Sequence, residues 1–308
     1  MKSALSYIFS FIISLLLIFS LIGSVGCITA GNFATKKNLL ELAEINDLNS
    51  VAYKELNKYF TEKYAETGIP ADVYMSSLSE DYLGQVIEDK INYGFTVLET
   101  GDAVYSGIPA NADLDKNITS FFENYASETG YNISDENDPY YSKLATAKKQ
   151  ASAAIEEYCD VFKFNALVKH GIIQKLKPLY AKLPIITIIC LGVSAFLILL
   201  LLVCNFKRIR DSVYWIATAA VSAGVLGCIP CVYLLNTDYF SAFTIKQAQI
   251  YTAYTSSMKN FTQNILITCI GLIISAIVLY AVYSVFSAMS RKDRESASKK
   301  ENSSAESA

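Results

Sequence analysis

Four runs of the chain hold no Asp, Glu, Lys, Arg or His for more than twenty residues each: Ala4–Ile28, Leu183–Phe206, Val213–Leu235 and Ile265–Ser290. The hydrocarbon core of a bilayer takes about 20 apolar residues of helix. Within it every backbone N–H and C=O must be paired inside the segment, which a helix achieves and an irregular chain does not. The sequence therefore reads as an all-α integral membrane protein with four transmembrane helices. Composition agrees: 52% of the 308 residues are hydrophobic and 18% are charged, against about 25% charged in soluble domains.

Cations cluster beside two of the run ends. Lys207, Arg208 and Arg210 lie between the second and third runs, and Arg291, Lys292 and Arg294 follow the fourth, so all four arginines sit there. Short flanks rich in Lys and Arg stay in the cytoplasm. Both clusters and both termini are thus expected inside, in a multi-pass plasma-membrane protein. The expected order is a first span within 1–28, an extracytoplasmic segment 29–182, spans at 183–206 and 213–235 joined by a cytoplasmic loop 207–212, an outer loop 236–264, a span at 265–290 and an unstructured cytoplasmic tail 291–308. A signal peptide also opens with a cation and an apolar stretch of about 7–15 residues; this run is longer and reads as an uncleaved anchor. Cleavage, or lipidation at Cys27 after Ser24-Val25-Gly26, stays open, although a lipoprotein processing box has leucine where Ser24 stands.

Between Thr29 and Tyr180 there are 23 acidic residues against 14 lysines and no arginine, a net charge of −9. Such a segment does not favour nucleic acid. Its apolar residues recur at helical spacing, which predicts a helical bundle. One helix is expected within Asn49–Gly68, stopped by Gly68-Ile69-Pro70; another after the capping residue Ser79; another over Asp113–Thr129; and a long one from Pro139 to about Phe164. LNKYFTEKYAETG (56–68) and ITSFFENYASETG (118–130) align with four identities, the last three at a helix stop; duplication and chance both account for this. The segment has 13 tyrosines, read first as core packing and second as a recognition surface. With Cys159 as its one cysteine, it holds no internal disulfide. The ratio of 22 lysines to 4 arginines points to an AT-rich, bacterial genome.

The pattern gives little sign of reaction chemistry. His170 is the only histidine, and no Walker-type or Gly-x-Gly-x-x-Gly phosphate loop occurs. The acidic run Ser134–Asp138 lacks the glycine and terminal glutamate of an EF-hand loop and reads as a solvated loop. No catalytic residue, metal ligand or cofactor is expected. Ion-coupled carriers place ionisable residues inside the bilayer, and these runs have none. Small residues instead suit close helix packing: Ala220 and Gly224, Ala223 and Gly227, and Gly271 and Ser275 are four apart, as are Ser6, Ser10 and Ser14.

Cys228-Ile229-Pro230-Cys231 has the spacing of a thiol–disulfide site and loosely resembles that of the four-helix quinone-linked thiol oxidases. Activated thiols of this kind lie at helix amino termini. This pair lies near the carboxyl end of its run, so Cys228, Pro230 and Cys231 read first as a hinge and second as a redox site. The span order with a large first outer segment resembles the FtsX permeases of cell division, which implies a cytoplasmic ATPase partner. The resemblance departs at the amino terminus, where those permeases are expected to carry a cytoplasmic segment to receive the ATPase and this sequence shows only Met1-Lys2-Ser3 before the run. The leading expectation is a non-catalytic membrane protein that offers an acidic helical domain for sensing or protein binding. Its partners would be the lipid bilayer and another protein, with a homo-oligomer compatible.

Overall fold

The computed structural model describes residues 2–135 and 138–306. In chain order the helices are α1 (Lys2–Phe33), α2 (Lys36–Ile45), α3 (Leu48–Thr67), α4 (Ala71–Met75), α5 (Glu80–Thr100), α6 (Ala112–Thr129), α7 (Pro139–Cys159), α8 (Phe164–Lys169), α9 (Ile172–Cys204), α10 (Ile209–Asn236) and α11 (Ala248–Glu306). Short 3₁₀ turns occupy Phe206–Arg208 and Tyr239–Ala242. Among the described residues there is no strand. α1, α9, α10 and α11 are each long and apolar enough to cross a membrane.

The helices run past the apolar stretches that announce them. α11 begins at Ala248, well inside the segment expected to be an outer loop. Its backbone also stays helical to Glu306, through the stretch expected to be unstructured. That stretch has no Gly or Pro and is rich in Ala, Glu, Lys and Arg, so propensity favours helix once a preceding turn exists.

The chain forms two compact units. The apolar unit comprises the first 33 residues, Lys182–Tyr239 and the chain from Lys259 onward. Its core joins Ile13 and Leu17 of α1, Leu197 and Leu201 of α9, and Trp215 and Ala219 of α10. Lipid tails are as apolar as leucine, so close packing and interhelical hydrogen bonds hold such helices together. α1 supplies these along one face. Ser6 donates to the Cys204 carbonyl at 3.4 Å, Ser10 accepts from the Asn205 amide at 2.8 Å and Ser14 donates to the Trp215 carbonyl at 3.3 Å. Higher up, Ser20 and Ser24 meet the Ser194 hydroxyl of α9 at 2.8 and 3.2 Å.

The polar unit is Ala34–Ala181 together with Phe240–Met258. α5 is its central element, burying Leu83, Val86, Ile87 and Ile91. Each such side chain contributes about 1.5–3 kcal/mol over an exposed one. Around it pack Ala52, Leu56 and Phe60 of α3, Ile118 of α6, Ala151 and Ile155 of α7, and Ala253 of α11. Local signals set the helix ends. The hydroxyl of Ser79 accepts the Tyr82 N–H and the Asn111 amide oxygen accepts the Leu114 N–H. Gly68 and Gly130, at φ 67° and 64°, end α3 and α6 in the left-handed conformation that glycine adopts without strain. α7 ends at Cys159, short of the expected Phe164. The Asp160 carboxylate accepts the N–H groups of Phe164 and Asn165 at 2.7 and 2.9 Å, which starts α8 in a new direction.

Candidate functional site

Lys90 is the largest fully buried side chain of the polar unit, 1% exposed on the α5 face that carries the core. Its Nζ lies 2.6 Å from Glu156 Oε1 of α7 and 3.3 Å from the centre of the Tyr105 ring. Glu156 also accepts the Asn165 side-chain N–H at 3.0 Å. Asp160, 3% exposed, completes the acidic side. Burial lowers the Lys90 ammonium pKa, and the Glu156 carboxylate works against that shift. Burial raises the Asp160 carboxyl, opposed by its two backbone donors. The neighbouring Cys159 thiol is pushed up to about 12 by burial, so it stays protonated and inert near neutrality.

The cluster is closed on the Lys90 side, while the Glu156 side chain reaches solvent. Tyr105 caps it from the 101–111 segment, which is fastened at both ends: Lys177 donates to the Thr100 carbonyl at 2.5 Å, and Tyr82 donates to that of Pro109 at 2.7 Å. The cluster escaped the sequence reading, yet it left a signal. Leu83, Val86, Ile87, Lys90, Ile91, Gly94 and Val97 form one helical stripe, and a lysine within such a stripe needs a partner. The acidic run 134–138 is likewise occupied where it is described. Asp138 accepts from the Tyr140 and Ser134 N–H groups, the Ser134 hydroxyl and the Tyr131 hydroxyl at 2.8–3.1 Å. These donors hold its carboxyl down at about 2. Glu136 and Asn137 lie outside the described residues.

The residues singled out in the spans divide. Ala220, Ala223 and Gly224 are buried. A Cβ at Gly224 would meet the Cys269 carbonyl at 2.8 Å and Ile273 at 2.6 Å, and one at Gly227 would strike the Cys269 sulfur. These two glycines let α10 and α11 approach. Gly271 faces open space and Ser275, also exposed, donates to the Leu272 carbonyl of its own helix. α10 runs unbroken past Pro230, with Cys231 buried, Cys228 half-buried and both thiols free. Arg208 is exposed, Arg210 pairs with Asp211 at 3.4 Å, and the side chains of Lys207, Arg291, Lys292 and Arg294 lie outside the described residues.

No family model, curated protein or solved structure matches this chain. The reading of its surface therefore rests on geometry. Among the described residues no three His, Cys, Asp or Glu side chains converge as metal ligands. The polar unit does carry an aromatic groove of about 410 Å³, lined by Gly68 and Ile69 at the α3 stop, Phe121, Phe122 and Tyr125 of α6, and Ala147 of α7. Tyr125 is 61% exposed, and Tyr141 close by in sequence is 46% exposed. The two echoed segments thus meet at this groove, one supplying a helix stop and the other the rings.

Proposed function

We propose that the chain is a non-catalytic, multi-pass protein of the cell membrane that presents its acidic polar unit on the outer side for protein binding. Binding would be coupled inward through the spans or through a second membrane protein. The observation that carries the reading is the pairing of four membrane-length helices with a folded helical unit whose buried Lys90–Glu156 pair and Asp160 carboxylate are engaged within the unit. Lys90, Glu156 and Asp160 tie helices to one another and Asp138 ties the 131–134 loop to the start of α7, which suits a scaffold better than a reaction centre. The cations Lys207, Arg208, Arg210, Arg291, Lys292 and Arg294 support the outward orientation. The aromatic groove, with exposed Tyr125 beside half-buried Phe121 and Phe122, is the binding surface in this reading, since aromatic rings are typical interface anchors.

Two measurements test this. Val104 is 92% exposed in the 101–111 segment, so Val104→Cys in intact cells should react with a membrane-impermeant maleimide while the wild type gives only background. Reaction solely after lysis would reverse the orientation. A photo-crosslinking residue at position 125 should then capture one discrete protein, and the same residue at Ile45, also exposed, should not. Equal, diffuse capture from both positions would refute a specific groove.

A further inference from the structure

A cleft of about 690 Å³ in the apolar unit lies at the turn between α9 and α10. Tyr7 of α1, Phe206, Tyr214, Trp215 and Tyr283 line it, together with the guanidinium-bearing Arg208. This is where two membrane-length helices end and restart, at Cys204 and Ile209, so the cleft opens at one face of the bilayer. We propose that it is a binding site for the headgroup phosphate of an anionic glycerophospholipid. This inference does not depend on the outer groove or on which way the chain faces.

Four features support it. First, the sign of the charge is right. Asp211 also lines the cleft, but Arg210 meets its carboxylate at 3.4 Å, so Arg208 sets the local potential. The turn as a whole, NFKRIRDS (205–212), has three cations to one anion. Second, the turn is held in place before any ligand arrives. The Asn205 amide donates to Ser10 and to the Leu201 carbonyl at 2.8 and 3.1 Å, Ser212 donates to the same carbonyl at 2.9 Å, and the Arg208 N–H donates to Asn205 at 2.7 Å. A backbone already fixed at the base of Arg208 lowers the ordering cost of binding. Third, the rings are arranged as a wall. Trp215 meets Tyr7 and Tyr214 edge-to-face at 5.1 and 5.7 Å, and Tyr214 meets Tyr283 at 5.6 Å. Tyr and Trp prefer the headgroup level, where a ring lies against acyl chain and its polar edge faces water. Fourth, the rim is apolar: Val203 is 60% exposed and Phe206 77%, a surface suited to acyl chains and not to a soluble anion.

Trp215 is the only tryptophan in the chain, so its fluorescence reports on this cleft alone. The full chain is reconstituted into phosphatidylcholine vesicles containing a small fraction of brominated-chain phosphatidylglycerol or, in parallel, brominated-chain phosphatidylcholine. The anionic lipid is expected to quench with about fivefold higher apparent affinity, the effect of one basic contact near a headgroup. The preference should vanish in Arg208→Gln, persist in Arg208→Lys, and persist in Arg291→Gln, which removes an equal charge from the other basic flank. Equal quenching by both lipids, or an Arg208→Gln variant that keeps the preference, would overturn the proposal. So would a loss of preference in Arg291→Gln equal to that in Arg208→Gln, which would mean diffuse attraction. Displacement of the lipid by ten-millimolar inorganic phosphate would assign the site to a soluble anion and sink the lipid reading.

Discussion

The Lys90–Glu156 pair makes an unequal double mutant the sharpest test of the polar unit. Lys90 is 1% exposed, whereas 34% of the Glu156 side chain reaches solvent. Glu156→Leu leaves a buried ammonium group without its hydrogen-bonded carboxylate, with only the charge of Asp160 nearby, and removing one partner of a buried pair costs about 3–5 kcal/mol. Lys90→Met keeps most of the apolar stem and leaves behind a glutamate that can still hydrate and accept from Asn165. Its cost should be about 1 kcal/mol, near that of one ordinary hydrogen bond. Lys90→Met/Glu156→Leu replaces both charges with apolar groups of similar volume and should lie close to the wild type, since such replacements are often neutral or stabilising. Pulse proteolysis of the detergent-solubilised full chain across a urea series, scoring cleavage within 34–181, reads all three variants. The sign with pH is also fixed. The folded Lys90 pKa is lowered, so the unfolded chain takes up a proton that the folded chain resists. The deficit of Glu156→Leu should therefore shrink as pH rises toward the unfolded lysine value. Equal losses in the two single variants, or a double variant as weak as Glu156→Leu, would refute this reasoning.

Other outcomes follow from single contacts. The Cys27 and Cys190 sulfurs lie 3.9 Å apart across α1 and α9; copper–phenanthroline treatment of membranes should join them, leaving fragments cut within 101–111 linked until reduction, whereas Cys27→Ser should abolish the link. Gly227→Val should weaken α10–α11 packing by about 1–3 kcal/mol through overpacking against Cys269, seen as a lower midpoint of thermal aggregation in detergent. The folded carboxyl of Asp138 is depressed to about 2, so its stabilisation is complete above the ordinary carboxylate range and is lost as pH falls toward that value; protection of the Tyr140 amide against hydrogen exchange, relative to its intrinsic rate at each pH, should fall over this window and be lost at all pH in Asp138→Ala. Gln249 is fully buried with neither amide atom hydrogen-bonded, so Gln249→Leu should raise stability by about 1–3 kcal/mol, measured by the same urea series.

What was legible in the sequence was whatever is decided locally. Uninterrupted apolar runs disclosed the four long helices, and the stops at Gly68 and Gly130 and the cap at Ser79 matched because each depends on a few adjacent residues. The stop of α7 was misplaced by a tertiary contact: the apolar spacing continues through Val161 and Phe162, but the Asp160 carboxylate captures the next backbone donors and turns the chain. The partner of Lys90 lies 66 residues away, and no periodicity indicates that distance. Span packing was half legible. Gly224 and Gly271 have the same small-residue spacing, but only Gly224 has a helix against it, because spacing shows which faces can approach and not which ones do.

One feature of the fold bears on how the protein is made. The core of the polar unit includes Ala253, which lies beyond α9 and α10 in the chain. The ribosome therefore releases most of this unit, and must then deliver two membrane-length helices, before its last piece exists. Until residues 240–258 emerge, the surface destined to meet Ala253 stays uncovered, so final folding waits on membrane insertion. For the same reason, a fragment ending at Ala181 is an incomplete domain: a soluble truncation would start life with part of its core missing.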